Sequence, residues 1–238
     1  MLFYPGSILS QPLTQLAYAR AVAGRNHGGL PNLDPDPGLL KLGRKLLLEN
    51  GRRRVPRRRE VEDFLARGGF FSDVVLSGGP QLYFLPTEEF LRAFIRLCRH
   101  LGVSRVVEVG AAKGFVAAAL GDRGSPVVAT DAAAPGGSTI YGVRIFQADH
   151  REAVAAFRPE LAFWCWPPLG SRAPAEIIRS PSLKFYLEVG DGGCASGIPD
   201  LVPRYGGRYL ATLSSLGYTR LDVGPYRHNR CFLFQAGG

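Results

Sequence analysis

The sequence has few of the residues that bind metals or form disulfides. Its 238 residues include 4 cysteines and 4 histidines, and the cysteines are widely spaced, without a Cys-x-x-Cys pair. Structural zinc sites and redox motifs use closely spaced pairs of this kind. The pattern therefore predicts reduced thiols in a cytoplasmic protein and no metal site. The four cysteines are Cys98, Cys165, Cys194 and Cys231.

Long hydrophobic runs are also missing. No apolar run approaches the ~20 residues that span a bilayer. The first residues lack the basic segment, apolar segment and cleavage site of a secretory signal. We therefore expect no membrane attachment. Hydrophobic residues still make up 46% of the chain and charged residues 21%, which is enough apolar material for a sizeable core.

Positive charge is concentrated near the start of the chain. The net charge is +9, and residues 1–60 carry +7 of it, with 11 Lys/Arg and 4 Asp/Glu. Six arginines fall within Arg52–Arg59. Such a run is typical of a solvated loop, but it also suits contact with a polyanion such as nucleic acid. Few aromatic residues interleave with it, so it does not indicate a platform for stacking bases.

A strand, a glycine turn and a helix stand in the middle of the chain. The apolar run Val106–Val109 predicts a buried strand, and Phe115–Leu120 predicts a helix. Between them, Gly110 and Gly114 bracket a turn that would let a ligand approach bare backbone. We expect Glu108 to point a carboxylate into that crevice.

Two common phosphate-binding motifs do not fit this turn. A P-loop needs G-x-x-x-x-G-K-[ST], and no such run exists. A dinucleotide fingerprint needs G-x-G-x-x-G, but Ala112 and Phe115 occupy its second and third glycine positions. An ordinary turn without a ligand is the remaining structural alternative.

Two further predicted strands end in acids. Pro126–Asp131 and Val143–Asp149 are apolar runs that each close on an aspartate. At the tip of the strand next to a glycine turn, a carboxylate can accept both hydroxyl groups of a ribose. Asp131 has the spacing for that position.

Together these residues resemble class I S-adenosylmethionine-dependent methyltransferases, over roughly residues 84–236. The resemblance implies S-adenosylmethionine as cofactor, with its methionine part on the glycine turn. It implies that Asp131 binds the ribose and that Asp149 lies near the adenine amino group. The implied cofactor-binding residues are Glu108, Gly110, Ala112, Gly114, Asp131 and Asp149.

The same resemblance implies an α/β fold. We expect a Rossmann-like, seven-stranded, mostly parallel sheet with helices on both faces, and a mainly helical, basic N-terminal extension. The predicted boundaries are 1–83 for the extension and 84–238 for the cofactor-binding core. Near the end, the pattern predicts a helix over Tyr205–Leu216 and a hairpin of Tyr218–Val223 with Arg230–Gln235.

The acceptor is expected near Trp166-Pro167-Pro168, which follows a fourth predicted strand. Many amino-directed methyltransferases have Asp/Asn-Pro-Pro-aromatic at this place, and here Trp166 replaces the polar residue that would hold an amine. Tyr226, in the terminal loop, is a further candidate for binding the substrate. His150 and His228 are the candidates for a general base.

These features lead to three functional hypotheses. The first is a methyltransferase acting on a small-molecule or peptide acceptor. The second is an RNA or DNA methyltransferase that binds nucleic acid through Arg52–Arg59. The third is an inactive cofactor-binding subunit of an assembly. The sequence leaves the oligomeric state open.

Overall fold

A computed structural model describes residues 37–49, 52–67, 84–134, 139–168, 171–190, 209–212 and 230–236. The described part of Pro35–Gly238 forms one compact unit. Within those ranges, none of the helices combines the length and the apolar character needed to cross a bilayer.

The strands are short, and most coincide with apolar runs rich in β-branched residues. They are β1 (Leu48–Glu49), β2 (Arg52–Arg53), β3 (Val106–Val109), β4 (Val128–Asp131), β5 (Thr139–Ile140), β6 (Val143–Gln147), β7 (Leu161–Cys165), β8 (Phe185–Gly190), β9 (Tyr209–Thr212) and β10 (Arg230–Gln235). The helices are α1 (Pro37–Leu47), α2 (Arg58–Ala66), α3 (Glu88–Leu101), α4 (Phe115–Gly121), α5 (His150–Phe157) and α6 (Ala173–Ile178).

Eight of the described strands form one sheet in the order β5-β6-β4-β3-β7-β8-β10-β9. The neighbours from β6 to β8 are all parallel. Strand β10 is antiparallel to both β8 and β9, and β5 is antiparallel to β6. The predicted Rossmann-like, mostly parallel fold is therefore confirmed. Within the described residues the sheet has eight strands, and the expected number of seven is not confirmed, because β5 and β9 were not predicted as strands. Strand β5 folds back on β6 through Tyr141 and Gly142, both at positive φ.

Helices cover both faces of the sheet, as predicted. One face packs against α3 and α4, in a core that includes Phe90, Phe94 and Phe115. The other face packs against α5 and α6 through smaller residues such as Ala153 and Ala175. The site at the edge of the sheet is thus held between two buried layers.

Helix α3 begins and ends at clear capping residues. Thr87 caps its first turn by accepting a hydrogen bond from the Phe90 N–H at 3.2 Å. Gly102 ends it in the left-handed region, at φ 63°. Between these caps, Phe94 packs edge-on against Phe163 of β7, with ring centroids 4.9 Å apart.

The helix predicted over Tyr205–Leu216 is wrong for Tyr209–Thr212, which form β9. These residues pair with β10, whose second edge would otherwise expose unpaired backbone N–H and C=O groups. Tertiary pairing thus overrides the local helical pattern. The predicted strand Tyr218–Val223, Tyr226 and His228 lie outside the described residues.

The described part of the N-terminal extension shares its core with the sheet. Leu46 and Leu47 of α1 and Val61 and Phe64 of α2 belong to the same buried cluster as α3. The domain boundary at residue 83 stays a prediction.

Several arginines of Arg52–Arg59 lie in secondary structure or bind other parts of the chain. Arg52 and Arg53 form β2, and Arg58 begins α2. The Arg53 guanidinium donates to the Tyr141 carbonyl at 2.5 Å and forms an ion pair with Asp122. The Arg54 guanidinium binds the Glu60 carboxylate at 2.6 Å. Arg53 and Arg54 are therefore not simply solvated.

We expect Arg53→Ala to lower the free energy of unfolding by about 1–3 kcal/mol, since it strips a carbonyl and a carboxylate of a charged donor. The Arg53 side chain is only 13% exposed, whereas the Asp122 carboxylate is 60% exposed and water can solvate it, so most of the loss should come from the Tyr141 carbonyl. Arg57, in the same run, is exposed, and Arg57→Ala should change stability by less than about 0.5 kcal/mol. Urea unfolding of both variants tests this, and equal effects would contradict it.

Candidate active site

Three neighbouring strands end side by side at one edge of the sheet. The order β6-β4-β3 places Asp131, at the tip of β4, between the glycine turn after β3 and Asp149 after β6. The register pairs Val109 with Thr130 and Asp131 with Gln147, so the three tips are level. Adjacent strands lie about 4.8 Å apart, which makes this row roughly 10 Å wide. That width suits a nucleoside lying across the tips.

The glycine turn has an unusual backbone. Gly110, Ala112 and Gly114 all have positive φ, at 64°, 49° and 75°. The Ala111 N–H donates to the Thr130 carbonyl at 2.9 Å, which fixes the turn to β4. Alternate left-handed residues turn the chain tightly between β3 and α4, leaving peptide groups at the edge of the sheet.

Packing also requires the two glycines. A Cβ atom on Gly110 would lie 2.4 Å from Nε1 of Trp164, and one on Gly114 would lie 2.7 Å from Cγ1 of Val143. Trp164 therefore lies directly against the turn. Trp166 was predicted to line the acceptor site, whereas the tryptophan that contacts the turn is Trp164, two residues earlier.

Ala112 occupies the left-handed region although it carries a Cβ atom, which costs about 1–2 kcal/mol. We expect Ala112→Gly to stabilise the fold by about 0.5 kcal/mol, because glycine relieves this strain but has more freedom in the unfolded chain. Ala155, exposed within helix α5, provides the matched control. Ala155→Gly should destabilise by about 1 kcal/mol. Thermal unfolding of both variants tests the sign, and two losses of equal size would contradict the strain.

Asp131 connects the tip of β4 to the turn. Its Oδ2 accepts from the Ala112 N–H at 2.8 Å, and its Oδ1 accepts from the Ala133 N–H at 2.8 Å. Each carboxylate oxygen has two lone pairs. One acceptor position on each oxygen therefore remains beyond these bonds, which is the capacity that two ribose hydroxyl groups need.

Glu108 faces into the protein. It lies one residue before the end of β3 and is 2% exposed. Its carboxylate accepts from the Ala117 N–H at 3.0 Å, in the first turn of α4. Gly114, the cap residue of α4, has no side chain to do this. Burial, with a smaller effect of the Asp131 charge, raises the pKa of Glu108 to about 8. The predicted direct role of Glu108 toward the cofactor stays a prediction.

Asp149 is the N-cap of α5 in a capping box with Glu152. Its Oδ1 accepts from the N–H groups of Arg151 and Glu152, at 2.7 and 2.9 Å. The Glu152 N–H, more than the neighbouring charges, keeps the pKa of Asp149 below its usual value. Within the described residues Oδ2 accepts no hydrogen bond, so a charged acceptor remains for an amino group.

His150 belongs to an ion-pair cluster between α5 and α6. Its Nε2 lies 2.6 Å from Oε2 of Glu176, and the Arg151 guanidinium binds the same carboxylate at 2.7 and 2.9 Å. Arg151, followed by His150, lowers the pKa of Glu176 to about 2. These contacts give His150 a structural partner, and its role as a general base stays a prediction.

The proposed acceptor segment follows β7. Trp166 is at φ 64°, a rare conformation for a bulky residue, and its N–H donates to the Val189 carbonyl at 2.7 Å. Trp166 and Pro167 are buried, and Pro168 is exposed. Strained backbone of this kind clusters at ligand sites.

A buried polar pair lies beside Trp164 and was missed from the sequence. Glu188 of β8 is level with Trp164 in the register and is fully buried. The Tyr186 hydroxyl donates to its carboxylate at 3.2 Å. An acid inside an otherwise apolar predicted strand was the signal. In the described part of the chain, no group of acids, histidines and cysteines could hold a metal ion.

No protein-family model and no curated protein sequence matches the chain. Solved structures do resemble it. A Staphylococcus aureus protein assigned as a caffeoyl-CoA O-methyltransferase is 12% identical, with 75% of this chain and 99% of that one covered and a TM-score of 0.44. The CcbJ methyltransferase of Streptomyces caelestis is 12% identical, with coverages of 63% and 94% and a TM-score of 0.40.

TrmK of M. capricolum, solved with S-adenosyl-homocysteine, is 10% identical, with 56% of this chain and 62% of that one covered and a TM-score of 0.37. The chain resembles class I S-adenosylmethionine-dependent methyltransferases. Because these structures share so little sequence with the chain, its chemistry has to be inferred from its own residues.

Proposed function

We propose that the chain is an S-adenosylmethionine-dependent methyltransferase. One observation carries the proposal: the glycine turn, Asp131 and Asp149 end three adjacent parallel strands at the same level. Crevices outside the carboxyl ends of such strands are where open α/β sheets bind nucleotide-like ligands.

The donor groups in this row fit the parts of the cofactor. Peptide groups of the glycine turn other than the Ala111 and Ala112 N–H groups, which Thr130 and Asp131 already accept, would hold the methionine part. Asp131 keeps acceptor capacity for the ribose. Oδ2 of Asp149, which accepts no hydrogen bond within the described residues, would accept from the adenine amino group. The cofactor supplies a methyl group already activated on a sulfonium, so the chain must mainly align the acceptor and exclude water.

The acceptor would bind beside Trp166-Pro167-Pro168. This segment offers an aromatic ring and proline carbons in place of an amide or carboxylate that could hold an amine. A small-molecule or peptide acceptor therefore remains our first candidate. Nucleic-acid methylation through Arg52–Arg59 has less support, because Arg53 and Arg54 are bound to Asp122 and Glu60.

Incubation with radiolabelled S-adenosylmethionine and a fractionated host extract tests transfer and identifies the acceptor class. We expect label in one acceptor fraction, and none when Asp131→Ala replaces the natural chain. If S-adenosylhomocysteine binds but no fraction is labelled and a stable partner co-purifies, the chain is an assembly subunit and the proposal fails.

A further inference from the structure

Helix α3 carries a line of arginines on the side that faces away from the sheet. Arg92, Arg96 and Arg99 are all exposed. Residues four and three apart lie on one side of a helix, so these three form a stripe about 10 Å long. The opposite side, with Phe90 and Phe94, is buried.

The two acids in the first turn of α3 make contacts outside the stripe. The Glu88 carboxylate, one turn before Arg92, binds the Arg123 guanidinium, with one contact at 3.3 Å. The Glu89 carboxylate accepts from the Arg58 N–H at 2.8 Å. Within the described residues, none of the three stripe guanidinium groups makes a hydrogen bond or an ion pair.

Arg92 also joins the stripe to a polar cleft of about 340 Å³. Five arginines and three acids line this cleft. Two of those acids, Glu88 and Asp122, are already paired with Arg123 and Arg53. Arg54 is bound to Glu60, so Arg57 and Arg92 are the cleft arginines that make no ion pair within the described residues, and they continue the positive surface beyond the end of the stripe.

We infer that this surface, formed by Arg92, Arg96 and Arg99 with the adjoining cleft, docks the phosphate backbone of RNA. The stripe is long enough to contact several successive phosphates along one strand. A single small anion cannot contact guanidinium groups spread over about 10 Å. The surface adjoins Arg52–Arg59, because Arg53, Arg54 and Arg57 line the same cleft, and it does not depend on methyl transfer.

A lipid surface fits less well. Helices that bind membranes place large apolar side chains beside their basic residues. The apolar side of α3 is packed on the sheet, and in the described part of the chain the exposed large hydrophobic residue is Leu48, on β1.

The test measures fluorescence anisotropy of a fluorescein-labelled RNA stem-loop at several salt concentrations. The triple variant R92Q/R96Q/R99Q should bind about 100-fold more weakly near 0.1 M salt, and its salt slope should fall by about 2–3. The matched control R144Q/R158Q/R172Q removes three exposed arginines from elsewhere on the protein. We expect it to stay within about threefold of the natural chain, since long-range charge is screened at this salt.

Equal losses of RNA affinity in the two triple variants would contradict the proposed surface, because net charge alone would then explain binding. Binding to phosphatidylserine vesicles through the stripe, without RNA binding, would also overturn it. Calorimetry with S-adenosylhomocysteine on the same proteins separates the two proposals. RNA binding lost only in R92Q/R96Q/R99Q supports this surface even if the natural chain fails to bind S-adenosylhomocysteine, a result that would refute the proposed function.

Discussion

Asp131→Ala is expected to weaken S-adenosylhomocysteine binding by roughly 100-fold. Two ribose hydroxyl groups would lose a charged acceptor, and hydrogen bonds to charged groups contribute about 1.5–3 kcal/mol each. Even the lower figure for both bonds gives about 3 kcal/mol, or two orders of magnitude in the dissociation constant. The variant also releases the Ala112 N–H from its bond to the carboxylate. Isothermal calorimetry measures the change directly.

Two further variants separate binding from folding. Asp131→Asn keeps an oxygen that can accept from one backbone N–H but loses the charge, so its affinity should fall between the other two proteins. Asp63→Ala removes an exposed acid from α2 and should leave affinity unchanged. If Asp131→Ala keeps the thermal midpoint and the natural affinity, the ribose assignment is wrong.

The parts of the site that were predictable are those set by local pattern. Apolar runs of strand length located β3, β4 and β6, and their last residues gave the candidate row. Strand β10 was predicted with the bounds that it has, Arg230–Gln235. In a parallel sheet, knowing that strands are neighbours is enough to place their carboxyl ends at one edge.

The parts that were not predictable depend on tertiary contacts. Nothing local shows that Trp164 lies on Gly110, or that Arg53 binds a carbonyl 88 residues away. Likewise, the strand conformation of β9 is stabilised by an edge of β10. Glu108 was expected to point into the crevice because it stands at the end of its strand, yet its carboxylate accepts from a backbone N–H of the helix that follows the turn.

Glu108 should therefore make stability depend on pH in a direction opposite to that of an ordinary surface acid. The pKa of Glu108 is about 8 in the folded chain and 4.5 for the same carboxyl group in the unfolded chain. Between these values the unfolded state gives up its proton and the folded state keeps it. The contribution of Glu108 to the free energy of unfolding is therefore greatest below pH 4.5. It falls as pH rises and reaches its lowest value above pH 8.

Glu108→Gln replaces the protonated acid with a neutral group of the same shape, which can still accept from the Ala117 N–H. We expect the variant to match the natural chain near pH 4 and to exceed its stability by several kcal/mol at pH 9, since each pKa unit corresponds to about 1.4 kcal/mol. Urea unfolding at both pH values measures the difference.

Glu62→Gln is the matched control, because Glu62 is an exposed acid on α2 paired with Arg58. Its difference from the natural chain should stay within about 0.5 kcal/mol at both pH values. A loss of stability in Glu108→Gln at pH 9 would mean that the carboxylate is charged in the folded chain and holds α4 as an anion. In that case Glu108 would add a negative charge beside Asp131, and the edge that we assign to the ribose would be more acidic than its geometry alone indicates.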